Sequence, residues 1–393
     1  MKKMFLTAAF IAATGMSAYC GSMKLVNEQV VDLEDVTAVE ILYLAEDVTL
    51  LASSTPSLVI KEYMRKDKKD YYAKITKSGG TLTVKRGIPP LLPALLPFRA
   101  SVEVYIPALS GKSLSIETTS AKVNADGEYA CGQLSIKSLS GHVAVNVATA
   151  EAVSIQTTSG HIRCKDIKGN ADIRTSSGNI VLNRTGGNAS VSATSGRIEA
   201  GMVAGSLTVN SLSGDVSCDE VGESASITAT SGHIRCEDVK GNANIRTLSG
   251  HIYLGKAGGN ASAGATSGRI KVGQVAGSLT ANSLSGDVRC DAAGGSIAIA
   301  TTSGAIQAAA AKNVERISLA STSGRVNLEV PRSSSFSFSA RTMSGKLSAP
   351  FSEKLSRPLS DNGLIQGVVG EAVSGGSIGI KTTSGAIKVG WIN

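Results

Sequence analysis

A Ser-Gly step returns at a fixed interval through this chain, and no other feature limits its fold as tightly. The glycines are Gly141, Gly160, Gly178, Gly196, Gly214, Gly232, Gly250, Gly268, Gly286 and Gly304, each preceded by Ser. The first interval is 19 residues and the next eight are 18. The beat loosens to Gly324 and Gly345 and returns at Gly385. Self-similarity at a short fixed period marks a stacked array whose units bury a face only against their neighbours.

Each period carries its own cross-section. Counting from the glycine as zero, position +2 is apolar throughout, as in Val143, Ile162, Ile234 and Ile306. Position +4 is apolar or Cys, and −5 repeats the theme with Ile155, Ile173, Val209 and Ile245. Positions +1 and +3 are mostly polar: His161, Arg163, Asp215, His233, Arg235, Lys271. Alternation on both sides of a glycine is the two-residue period of half-buried strands. Each rung therefore reads as strand, Ser-Gly bend, strand and a second bend at Gly169, Gly205, Gly241 or Gly277. Glycine suits such bends through its tolerance of positive φ. The expectation is an all-β protein, a parallel β-solenoid of about 18-residue rungs.

Other solenoids of this period fit less well. Hexapeptide helices need an apolar residue every six positions, and calcium-binding rolls need G-G-x-G-x-D-x-U-x, which is absent. Ice-binding solenoids expose Thr in two columns. Here Thr recurs outward only at −2 (Thr158, Thr194, Thr230, Thr266, Thr302) and is interrupted by Leu212, Leu248 and Leu284.

No Pro occurs between Pro107 and Pro331, as a continuous hydrogen-bonded ladder requires. The net charge of +8 is spread over 393 residues with only 4% aromatics. Scattered cations without stacking aromatics argue against nucleic acid. Met1-Lys2-Lys3 followed by the apolar residues 4–18 reads as a secretory signal over residues 1–20. It is too short to favour a membrane span, and nothing after it is long enough to make one. Cys20 is a candidate lipidation site, although Ser17 and Tyr19 fit a lipobox poorly. Free secretion and a lipid anchor both stay open. The expected location is exported: periplasm, cell surface or extracellular space.

Residues 21–112 are β-like but off the beat, and read as an N-terminal cap with irregular first coils. Within them residues 88–98 form a Pro-rich loop with four prolines among leucines, either packed over the solenoid end or free for a partner. Residues 113–393 read as the solenoid, with an inserted loop at about 352–376. Residues 378–389 then make a last regular rung, with Trp391 packed on its end.

Val102-Glu103-Val104-Tyr105-Ile106-Pro107, Leu114-Ser115-Ile116-Glu117-Thr118-Thr119-Ser120, the T-S-G rungs and the closing residues 378–389 resemble the bacterial putative-adhesin β-strand-repeat family, a domain of unknown function in exported envelope proteins. The resemblance covers roughly residues 35 to 393. It implies a right-handed parallel β-solenoid and brings no catalytic residues. The chain departs from it at Ala121, where a Ser-Gly is expected, and in the Pro-rich insertion.

All four histidines fall at +1: His142, His161, His233 and His251. Column neighbours in parallel strands lie about 4.8 Å apart, so Asp215, His233 and His251 are a candidate metal trio. Cys164, Cys218, Cys236 and Cys290 form an inward ladder at +4, in which Cys218 and Cys236 are close enough to bond. No cofactor is expected. The acids are spread over different rungs, without the paired carboxylates of a glycosidase. The expected function is therefore non-catalytic: an adhesin-like or envelope scaffold presenting a repetitive surface to an envelope or extracellular polysaccharide or protein. The alternatives are a cell-envelope sensor or accessory binding module, and a carbohydrate-active β-helix enzyme.

Overall fold

The computed structural model describes residues 23–87, 100–128, 130–311, 315–351, 356–361, 363–370 and 376–392. The chain falls into two units, residues 1–187 and 188–393. In both, each rung is one strand before the Ser-Gly step, in what we call the leading sheet, and one after it, in the trailing sheet. It is the parallel β-solenoid that the repeat predicts.

In the second unit the leading strands Leu207–Ser213, Ala225–Ser231 and Ala243–Ser249 pair in parallel with Val209 opposite Ile227 and Ile227 opposite Ile245. The trailing strands follow suit, with Val216 opposite Ile234 and Ile234 opposite Ile252. An 18-residue step keeps every inward column in line, so these residues are buried and stack like on like. The polar +3 column faces out.

In the first unit the step tightens along the chain. Leu134 pairs with Leu114, Ile155 with Ile136 and Ile173 with Ile155, steps of 20, 19 and 18 residues.

Both units end differently from the sequence expectation. Residues 38–52, read above as β-like but off the beat, make a regular rung. Ala38–Leu42 lies between Thr81–Lys85 and Leu109–Thr118, and Asp47–Ala52 lies between Ala100–Ile106 and Val123–Asp126. Val39, Ile41, Val48 and Leu50 are completely buried. Antiparallel strands close this end: Leu58–Met64 pairs with Ala100–Ile106 and Lys24–Val31, and Lys74–Ser78 with Thr81–Lys85.

The second unit also interleaves a late segment. Gly376–Thr382 lies between Arg316–Ser321 and Phe336–Thr342, and Ile387–Ile392 between Val326–Pro331 and Leu347–Ser348. The rung expected to be outermost is thus an inner one, and the earlier residues 336–348 lie outside it. The stretch 352–376, expected as a loop, contributes two antiparallel strands: Leu364–Val369 against Phe336–Thr342, then Ser356–Asp361. Antiparallel strands can finish a stack whose last parallel edge would otherwise be free to aggregate. Trp391 packs on Phe351 with centroids 5.2 Å apart, and Phe351 in turn meets Phe338 edge-on at 4.9 Å.

Candidate binding surface

The Ser-Gly edge is an accounting device for backbone hydrogen bonds. Where the chain turns out of a sheet, the amide of residue +1 donates to the side chain at +1 of the neighbouring rung. His233 N–H donates to Asp215 Oδ1 at 2.9 Å, His251 N–H to His233 Nδ1 at 3.0 Å, and Arg269 N–H to His251 Nδ1 at 3.0 Å. His142 and His161 do the same for the amides of His161 and Asn179. Backbone amides that leave the sheet ladder take such partners.

The structure therefore does bring Asp215, His233 and His251 onto adjacent rungs, but commits one acceptor of each to an amide. The His233 and His251 rings stack 4.8 Å apart within 12° of parallel. Their in-plane lone pairs run side by side rather than converging on the 2.0–2.1 Å shell that zinc requires, an approximate distance. Among the described residues no group of three or more His, Cys, Asp or Glu is placed to hold a metal.

Two features of this edge escaped the sequence reading. At −3 a buried hydroxyl donates to a turn carbonyl: Thr247 to Gly232 O at 3.3 Å, Thr301 to Gly286 O at 3.2 Å, Ser321 to Gly304 O at 3.1 Å. The recurrence of Ser or Thr on an otherwise apolar face was the available signal. Secondly, the glycines are needed chiefly for close stacking. A Cβ on Gly250 or Gly268 would overlap the carbonyl oxygen of the glycine one rung before. Positive φ occurs in this column only at Gly196, Gly214 and Gly232. The far corner has its own acceptor column: Asn242 Oδ1 takes the Asn260 amide and Asn260 Oδ1 the Ser278 amide, both at 2.8 Å.

The cysteine ladder is inward as expected. Cys218 and Cys236 are joined by a disulfide with Cα atoms 4.7 Å apart, a bond the sequence left open. Cys164 and Cys290 are free and buried, and burial pushes both thiols up to about 12. They are packing residues, not nucleophiles.

The outer faces differ. On the trailing sheet, charges neutralise one another locally: Arg289 meets Asp291 at 2.7 Å, Lys240 meets Asp238 at 2.7 Å, and Arg235 pairs with Glu237 while lying 4.6 Å over the Tyr253 ring. On the leading sheet of the second unit, the −2 column alternates Thr with Leu212, Leu248 and Leu284, which are 51%, 55% and 52% exposed. The leucines therefore recur every two rungs, about 9.6 Å. In stacking order this column ends at Met343, 76% exposed.

Beyond Leu284 the same face is concave. A depression of about 550 Å³ is floored by Ala300 and Ala320, with Thr302, Thr322 and Thr383 along one side and Arg341 and Met343 at its end. A second, of about 890 Å³, shares Ala320 and Lys381 with it and runs over Ser318, Gly379 and Ser339 to Gln366. Among the described residues no carboxylate, imidazole or thiol lines either one. The lining offers hydroxyls, amides and positive charge.

A third polar cluster lies in the first unit. Glu62 is buried and accepts from Asn27 Nδ2 at 2.7 Å and the Ala73 amide at 2.9 Å. Burial raises its carboxyl, partly opposed by those two donors. Burial, then the Glu62 and Glu46 charges, push up the nearby Tyr43 phenol. Glu46 meets Arg86 at 2.7 Å, and Arg86 lies over Tyr71 at 4.7 Å. The cluster anchors residues 71–86. The alternation Leu58-Val59-Ile60-Lys61-Glu62 already put Glu62 on the inward face. Cys20 and the Pro-rich residues 88–98 lie outside the described residues.

The family model described as Toastrack DUF4097 matches residues 36–219, 172–291 and 258–390. No curated protein matches the chain. Among solved structures, a putative adhesin from Bacteroides fragilis aligns at 13% identity over 56% of this chain and 96% of its own, with a TM-score of 0.35. A putative adhesin from Parabacteroides merdae aligns at 14% identity over 74% and 95%, TM-score 0.22. A putative cell adhesion protein from Clostridium sporogenes aligns at 7% identity over 93% and 99%, TM-score 0.17. Likenesses this slight carry no argument about what the chain binds.

Proposed function

This chain belongs to the Toastrack DUF4097 family, and from that premise we propose that it is a non-catalytic, adhesin-like scaffold working outside the cytoplasm. The observation that carries the reading is the outer face of the leading sheet. Its −2 column repeats every two rungs while the core beneath repeats every one. Core packing alone would leave exposed leucines no reason to recur in register. A ladder of identical contacts gains avidity with each rung added. The signal-like residues 1–20 and the disulfide support an oxidising compartment. No helix among the described residues is long and apolar enough to cross a membrane.

Two measurements test this. Immunoblotting of fractionated cells, with and without external protease, is expected to find the protein in the envelope or medium; confinement to the cytoplasm would overturn the reading. Surfaces coated with purified protein are expected to retain cells or envelope polymers. Replacing Leu212, Leu248 and Leu284 together by Thr should weaken retention without unfolding the protein.

A further inference from the structure

We propose that the concave face over the last rungs of the second unit is a binding site for an acidic polysaccharide whose sugars carry carboxylates. The inference rests on the scaffold reading above and adds the class of ligand. Its starting point is a pair of like charges. Arg341 and Lys381 are register partners on adjacent parallel strands, and both are exposed. Like charges directly opposite cost stability, and no ion pair relieves either among the described residues. Arg316 adds a third cation in the adjoining depression, which Lys381 also lines. On the trailing sheet, by contrast, cation after cation has a carboxylate within reach. A concave cluster of one sign is a site for the opposite charge.

The rest of the lining indicates what bears that charge. Ala300, Ala320 and Gly379 keep the floor low. The Thr302, Thr322 and Thr383 hydroxyls stand one strand apart along it, with Asn282 at one end and Gln366 on the flanking antiparallel strand. From the strand of Asn282 to that of Arg341 is four strand spacings, about 19 Å. A long, shallow trough with many neutral donors and acceptors fits a chain of hydroxyl-bearing rings. Arg341 and Lys381 then take the carboxylates, Arg through a two-pronged contact. Leu284 and Met343, exposed at the two ends, offer apolar contact to the C–H faces of the sugars.

The test uses the full chain and polygalacturonate as probe, with dextran, double-stranded DNA and phosphatidylglycerol vesicles as comparators, by calorimetry at two salt concentrations. Polygalacturonate is expected to bind and dextran not, with affinity falling as salt rises. Lys381→Gln and Arg341→Gln should each weaken binding about tenfold or more, whereas Lys271→Gln on the trailing sheet should leave it unchanged. Equal losses for Lys271→Gln and Lys381→Gln would reduce the effect to net charge and overturn the site. Equal or tighter binding of DNA or vesicles through the same two residues would overturn the ligand class. If coated surfaces retain cells yet polygalacturonate does not bind, this inference fails while the scaffold reading stands; if neither occurs, both fail.

Discussion

At the scale of single residues, the +1 column shows that a histidine can be kept as a hydrogen-bond acceptor. Asp215 and His233 do the same work for successive amides. His233→Asp should therefore leave thermal stability nearly unchanged, and His233→Ala should cost about 0.5–1.5 kcal/mol, the net worth of one hydrogen bond. Equal losses would show that the ring stack, not the acceptor, matters. Glu62 gives the pH prediction. Its folded carboxyl is raised by burial, so the protonated form favours the folded state. That contribution is complete below the unfolded value, about 4.3, and is lost as pH rises through the higher folded value. Glu62→Gln should remove it. Hydrogen exchange of Asp47–Ala52 should slow on mild acidification in the native protein relative to the variant.

At the scale of the element, a rung is two strands and two corners, and these were unequally legible in the sequence. The strands were plain, because inward Ile234 and Cys236 and outward Arg235 follow from alternation alone. The corners were not. Whether a Gly, Thr or His there matters depends on the rung stacked against it, which no single rung reveals. Positive φ was the wrong general reason for the glycines; close approach is the right one. Gly250→Ala should accordingly cost several kcal/mol, in the range of overpacked or strained sites. Gly264→Ala, whose added Cβ would meet nothing nearer than Arg246 Cγ at 3.7 Å, should be neutral or mildly stabilising. Urea midpoints of the two variants check this.

At the scale of the whole molecule, residues 153–224 align with 225–296 at an offset of four rungs. Deleting 225–296 joins Ser224 to Ile297 in register. It also puts Asn210-Ser211-Leu212 where Asn282-Ser283-Leu284 stood, the same three residue types. The shortened chain should stay folded by circular dichroism and keep the concave face, with avidity for a coated surface reduced. Loss of fold would mean the rungs are not interchangeable. The concave face itself was not legible, since Ala320, Arg341 and Lys381 meet only because residues 376–392 slip between two earlier rungs. Nothing in the regular residues 378–389 says which neighbours they will have.

That insertion also sets a timetable. A ribosome delivers residues 316–331 and 336–348 before 376–392, yet the last of these must lie between the other two. Rung-upon-rung zippering can run in step with synthesis as far as Pro331 and no further. The Phe336–Thr342 strand has no native seat until a later segment arrives, and only then do the aromatic rings of Phe338, Phe351 and Trp391 close over the end. These rungs thus behave as a clasp, left open on the nascent polypeptide until residues 376–392 arrive to fill it.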